Sequence, residues 1–394
     1  MEKLARAMLQ QTSAPGGTLE PLPLILHGRI VEQRVDRDEV RAFRKEIVVT
    51  GSRVPLAMVR KRAVLGAGSN PAGGTRAPVL LVHGFGQNRY AWHLPARSFA
   101  NHLASAGFDV FNLDLRGHGR SRQLGATRCR GVEDYVREDL PVAVAEVQAL
   151  SGQRPVWVVG HSLGGLVLYA SAPSLGGAVA GVVSIGSPYH FTRGSLTLGA
   201  LTYLFRALAL APMPNAPVPL APVALTLRLI GRLAESPFYP LPLRGWHAGS
   251  LEPHVLEQHL RMAFDRGAMA EMVDMFDWAV QRRFGGRESD YVERFESMDI
   301  PLLVLAGAND DLAPPASVRP GFTRSRSRDK TYRVLPLGHI DLLVGRDAPL
   351  MTWSLVTRWL TERAASETVG PSTDRLRRDD LVRGERRPPR APRP

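Results

Sequence analysis

The sequence predicts an α/β protein in which a mostly parallel, doubly wound sheet is interrupted by a helical cap. Three observations predict it. From Ala77 to Ser187 short apolar runs alternate with helix-length segments, the pattern of βαβ units joined by right-handed crossovers. The alternation breaks down between Pro188 and about Asp299, then resumes at PLLVLAGAND (Pro301 to Asp310) and TYRVLPLGH (Thr331 to His339). Finally, GHSLGG (Gly160 to Gly165) follows the apolar run PVWVV and opens the helix-compatible LVLYASA. A buried strand that delivers a serine onto a tight strand-to-helix turn is a nucleophile elbow.

Composition sets the bounds. The chain has 394 residues, enough for a large core without disulfide staples, and Cys129 is its only cysteine, so no intrachain disulfide can form. Cys129 lies in the polar stretch ATRCRGV and reads as an incidental thiol. Lys plus Arg total 50 against 37 Asp plus Glu, a formal charge of +13. Much of the excess falls in DRLRRDDLVRGERRPPRAPRP, so residues 366–394 read as a disordered basic tail. Such a tail suits weak association with an anionic membrane surface; without aromatic residues or a motif among its arginines, it argues against nucleic-acid recognition. MEKLARAMLQQTSAPGG has no continuous apolar core behind its first charges, which argues against a secretory signal and for a cytoplasmic location.

The elements follow in order. Residues 1–40 read as an N-terminal extension set apart from the core. FRKEIVVT and VPLAMVRKRA, joined through Gly51 and Ser52, read as the antiparallel edge hairpin of the sheet, and GAGSNPAGGTR reads as a loop. The first part of the core spans 41–187: PVLLVHG, SFANHLASAG, FDVFNLDL, VEDYVREDLPVAVAEVQALSG, PVWVVGHS, LGGLVLYASA and AVAGVVSIGS. Residues 188–299 read as the cap, with helical stretches such as LEQHLRMAF and MAEMVDMFDWAVQRRF around a Pro-rich segment. A membrane span over residues 196–212 competes with the cap reading, but Arg206 and the prolines beyond leave it short of about 20 apolar residues. Leu198, Leu201, Leu204, Leu208 and Leu210 make that stretch apolar on every face, suiting either a surface over a lipophilic substrate or a helix packed on the core. The second part of the core spans 300–365 and closes with PLMTWSLVTRWLTERA.

The elbow sets the chemistry. Ser162 is the candidate nucleophile, and a serine hydroxyl needs a histidine to take its proton and an acid to orient the imidazole. In sheets that carry such an elbow the chain order is Ser, then Asp or Glu, then His. Of eleven histidines only His339 lies beyond residue 259, in the loop LPLGHIDLL after the last strand. The acid falls in GANDDLAPP, which offers Asp310 and Asp311; a Gly-x-x-Asp turn counted from Gly307 selects Asp310. Two amides are needed for the oxyanion. Leu163, after the serine, and Phe85, in the turn HGFGQN shaped by His83 and Gly84, are the candidates.

The other histidines read as structural: His161 packs, while His83 and His118 tie down loops. His254 and His259 are five apart and do not share a helix face as an i, i+4 metal pair would. No metal site, cofactor or phosphate-binding glycine loop is expected.

Taken jointly, HGFGQN, DLRGHGRS (Asp114 to Ser121), GHSLGG, GANDDLAP and GHIDLL resemble the α/β-hydrolase superfamily over residues 45–364, the cap excepted. The stretch from His83 to Ser121 and the ending GHIDLLVGRDAP resemble acid lipases, and the ending also resembles polyhydroxyalkanoate synthases. Those synthases carry cysteine at the elbow, and dehalogenases and most epoxide hydrolases of this fold carry aspartate; Ser162 shifts the resemblance towards ester hydrolysis. The resemblance implies a lipase-like serine esterase with an apolar ester substrate. Acyl transfer by the same triad and a non-catalytic lipid-binding relative are the alternatives.

Overall fold

The computed structural model describes residues 24–64, 77–127, 129–209, 217–218 and 245–368. One nine-stranded sheet runs through it. Its strands are β1 (Leu24–Asp36), β2 (Glu39–Val49), β3 (Ala57–Ala63), β4 (Pro78–Val82), β5 (Asp109–Asp114), β6 (Val156–His161), β7 (Val179–Ile185), β8 (Leu302–Gly307) and β9 (Lys330–Leu335). The spatial order is β1-β2-β3-β5-β4-β6-β7-β8-β9. Pairing is antiparallel from β1 to β5 and parallel from β5 through β9. The principal helices are α1 (Phe99–Ser105), α2 (Leu140–Leu150), α3 (Leu163–Leu175), α4 (Leu196–Ala209), α5 (Pro253–Met262), α6 (Met269–Gln281), α7 (Tyr291–Ser297), α8 (Pro315–Arg324) and α9 (Ser354–Thr368).

Why the central strands read as unbroken apolar runs is visible in their packing. Val79, Leu81, Val110, Trp157, Val159, Val183, Leu303 and Leu305 point into one apolar layer, closed by Phe99 of α1 and Val356 and Leu360 of α9. Their neighbours Leu80, Val82, Phe111, Val158, Val182, Leu302 and Val304 point into a second layer, closed by α2, α3 and α7. A strand buried on both faces has no polar side to alternate with.

The antiparallel end differs from the sequence reading. FRKEIVVT and VPLAMVRKRA do pair, but they are not the edge, because β1 lies outside them within the segment set apart as the extension. Most β1 side chains are exposed, including Ile25 and Ile30. Apart from Val31 and Val35 at its end, the strand joins the sheet through its backbone, so no buried face marks its first half in the sequence.

The insertion carries α4, α5, α6 and α7, with a two-residue ladder joining Pro217–Val218 to Gly267–Ala268. Leu198 in α4 is buried. The side chains of Leu201, Leu204 and Leu208, all of Leu210, the glycine-rich loop 66–76 and the tail beyond Thr368 lie outside the described residues. No helix among the described residues is long and apolar enough to cross a membrane.

Candidate active site

Strand order places the site. β4 leads through α1 to β5 on one side, and β5 leads through α2 to β6 on the other side of β4; ligands of open α/β sheets bind beyond the strand ends where the winding reverses. The turn after β4 holds His83 to Asn88, and the end of β6 holds Ser162.

Ser162 has φ 53° and ψ −121°, outside the regions that residues with a β-carbon favour. The close crossing of β6, β4 and α3 imposes that conformation. A β-carbon on Gly160 would stand 2.6 Å from the backbone of Gly164 and Gly165, and one on Gly164 would run into the Val82 and His83 carbonyls. Gly84 presses on the serine from the other side, so that a β-carbon there would lie 3.0 Å from the Ser162 β-carbon. Among the described residues no protein acceptor takes the amide hydrogens of Phe85 or Leu163. The Phe85 ring packs over Gly267 of the cap.

Asp310 and His339 come together from the loops after β8 and β9. Asp310 Oδ2 lies 2.8 Å from His339 Nδ1, while its Oδ1 accepts the amides of Leu312 (2.9 Å) and Ala313 (2.7 Å). A carboxylate only accepts, so Nδ1 carries the proton and Nε2 is the basic nitrogen. Asp310 and His339 are buried, whereas Asp311 is exposed.

Three further buried histidines lie in this region, His161 and His259 facing His339 and His83 in the turn after β4, each favoured in its neutral form. His83 sits at a pKa of about 4, lowered first by burial and then by His118; its Nδ1 donates to Gly84 O (3.0 Å) and its Nε2 accepts from Leu115 N (3.1 Å). Burial and then His339 hold His161 well below the ordinary range, and its Nε2 donates to His339 O (3.2 Å). His259, on the buried face of α5, is lowered to about 4 by burial and then by His339. Of these four imidazoles only His339 has a carboxylate on its ring.

Sequence reasoning marks His161 as packing, considers His259 only to set aside a metal pair with His254, and misses Asp341. Asp341 Oδ2 accepts the amides of Gly338 (2.9 Å) and His247 (2.7 Å), and Ile340 N donates to Gly245 O (2.9 Å). The bonds to His247 and Gly245 fasten the His339 loop to the insertion. The one signal for His259 is its place on the stripe Val255, Leu256, His259, Leu260. No group of three or more His, Cys, Asp or Glu among the described residues is arranged to hold a metal. Cys129 is buried, donates to Gly131 O (2.7 Å), and has its thiol pushed up by burial.

A cavity of about 730 Å³ opens between α4, α6 and the segment after β7, lined by Leu166, Tyr189, Phe191, Tyr203, Met275 and Trp278 among others. Leu166 belongs to the first turn of α3, but neither Ser162 nor His339 lines the cavity.

Comparison with known proteins agrees with this architecture. The chain is 27% identical over 263 residues to a monoacylglycerol lipase of Mycolicibacterium smegmatis, covering 66% of this chain and 80% of that protein. It is 24% identical to the poly(3-hydroxyalkanoate) polymerase subunit PhaC of Haloferax mediterranei over 77% of this chain; the match spans only 63% of that protein, less than two thirds of its length. A crystal structure of a soluble variant of monoglyceride lipase from Saccharomyces cerevisiae superposes with a TM-score of 0.53 at 17% identity, covering 87% of this chain and 99% of that one. The family model described as alpha/beta hydrolase fold matches residues 77–346, more than half of the chain, and the protein belongs to that family.

Proposed function

We propose that the protein is a serine hydrolase that cleaves carboxylic esters of apolar substrates through an acyl-enzyme. The observation that carries this reading is the buried Asp310–His339 hydrogen bond beyond the same strand ends as the strained serine. In this scheme His339 Nε2 takes the proton of Ser162 Oγ as the oxygen attacks the ester carbonyl, and Asp310 orients the resulting imidazolium. The amides of Phe85 and Leu163 receive the oxyanion, each worth about 3 kcal/mol in the transition state. Collapse expels the alcohol with the proton from His339, and water attacks the acyl-enzyme by the same route in reverse.

Two things support an apolar substrate. The cavity against α4 and α6 is lined by several aromatic residues, Tyr189, Phe191 and Trp278 among them, and relatives in the comparison are named lipases. The test is intact-mass analysis after treatment with a fluorophosphonate, beside hydrolysis of p-nitrophenyl esters of increasing acyl length. We expect a single adduct that Ser162→Ala abolishes, and a kcat/KM that rises from acetyl to medium or long chains. Undiminished labelling of that variant would overturn the nucleophile, and fastest turnover of acetate would overturn the apolar substrate.

A further inference from the structure

Buried cations in this protein are, as a rule, matched by carboxylates. Arg60 meets Asp109 and Glu46, Arg97 meets Asp36 and Glu252, and Arg116 meets Asp134, Glu138 and Asp139. A cleft of about 330 Å³ between β1, β2, β3 and residues 89–95 breaks that rule. Lys45, Lys61, Arg89 and Arg120 all line it. Among these four, and among the described residues, only Arg89 has an acidic partner, Asp114. Lys61, almost fully buried, is held by neutral acceptors, Asn101 Oδ1 at 2.7 Å and His93 Nδ1 at 3.1 Å. Among the described residues no carboxylate pairs with the side chain of Lys45 or Arg120, and Arg120 Nη1 is buried without any acceptor. The acidic residue that lines the cleft, Glu32, is exposed and forms no ion pair with these groups.

The cluster is electrostatically unfavourable as it stands. Lys45 is lowered first by burial and then by Arg120, Arg29 and Arg89; Lys61 is lowered well below its ordinary value by burial, then by Lys45 and Arg89. Composition sharpens the point: the chain has four lysines against a large excess of arginine, and two of the four meet in this cleft. The unmatched side chains of Lys45 and Arg120, beside Arg89 and Lys61, on a space within the usual range of small-ligand pockets, about 300–1,000 Å³, describe a site completed by an anion with oxygens on several sides. A lone carboxylate offers two oxygens in one plane, whereas a phosphate group offers three or more in a tetrahedral array and up to two charges.

We propose that the cleft lined by Lys45, Lys61, Arg89 and Arg120 is a binding site for a phosphate group, free or carried as a phosphate ester. It is separate from Ser162 and His339, neither of which lines it. The probe is inorganic phosphate, titrated calorimetrically into the full chain at constant ionic strength with chloride as the reference, alongside the melting temperature in each salt. We expect saturable binding and a higher melting temperature in phosphate. Lys45→Met with Arg120→Gln should weaken binding at least about tenfold, about 1.4 kcal/mol, while p-nitrophenyl ester hydrolysis without phosphate stays unchanged. Should that double variant fail to fold, the single Arg120→Gln carries the same comparison. Glycerol 3-phosphate and phosphatidylcholine vesicles containing phosphatidate then separate the sources: binding of the soluble ester, lost in the variant, identifies a soluble phosphate ester, and binding to vesicles alone, lost in the variant, identifies a lipid headgroup. Equal melting temperatures in the two salts with no saturable heat, or undiminished binding by the variant, overturns the proposal.

Discussion

On β4 to β8 successive side chains bury into opposite apolar layers, whereas the cap, besides lending those layers Val255, Leu260 and Phe295, reaches the loops above the sheet through polar bonds. Asp265 Oδ2 accepts the Gly119 amide (2.7 Å), Asp274 Oδ2 accepts the Val132 amide (2.7 Å), and Tyr135 Oη donates to Glu271 Oε1 (2.6 Å). Asn88, three residues beyond Phe85, donates its amide to Ala263 O (3.1 Å) and its side chain to Met262 O (2.9 Å). Apolar layers are tolerant of small shifts and indifferent to protons; carboxylate-to-amide bonds fix a direction and respond to pH. The apolar layers thus hold the chain folded, and the polar bonds set the register of the cap over the turn that holds Phe85.

If the catalytic groups belong to the sheet and its loops, Asp310→Asn should cut kcat by about 10⁴ through the wrong imidazole tautomer, while Asp311→Asn costs little. Steady-state hydrolysis of a p-nitrophenyl ester measures both, and the reverse ranking would move the acid to Asp311. Next in size, Leu305→Ala removes a fully buried side chain from a central strand and should cost about 2–5 kcal/mol, read as a lower midpoint of one cooperative denaturant transition.

Asp265→Ala should cost less globally, about 1–3 kcal/mol, because it orphans the Gly119 amide at the cap contact. Its signature is local: faster amide exchange in α5 and the Asp265 region, with the core strands still protected. Loss of protection in β4 and β6 to the same degree would erase the distinction between core and cap.

The smallest effect is a pH dependence. Asp274 is pushed up from 3.8 to about 6, chiefly by burial and then by nearby Asp277, Glu133 and Glu271, against the Val132 bond that lowers it. The folded state therefore holds this proton more tightly than the unfolded chain. Its contribution favours folding at low pH and is lost as pH rises from about 4 to about 6. Asp274→Asn keeps an acceptor for Val132 and should flatten that part of the curve of melting temperature against pH; an unchanged curve would mean that Asp274 is not the titrating group.

Legibility follows the same division. Strands buried on two faces announce themselves as apolar runs between helices, and Ser162 and His339 are marked by local motifs. Asp310 is readable because its turn places it three residues past Gly307. What escapes is whatever depends on distant partners: Asp265 and Gly119 are 146 residues apart, and Asp274 and Val132 are 142 apart. β1 escapes for another reason, since only towards its end do Val31, Gln33 and Val35 turn inward, while Leu24 to Ile30 are all exposed, and its place is fixed largely by backbone pairing with β2. His161 shows the limit of motif reading: the variable position of the elbow turns out to hold the His339 carbonyl.

The positive φ of Ser162 has a consequence for how this chain can change over generations. A residue held in such a conformation costs on the order of 1–3 kcal/mol. Glycine at 162 would relieve that strain and raise the melting temperature while removing the hydroxyl altogether. If Ser162 is the nucleophile, as proposed, drift judged on heat resistance alone would therefore favour an inert protein at this position. On that reading the serine marks a residue at which chemistry, and not durability, is what selection reads.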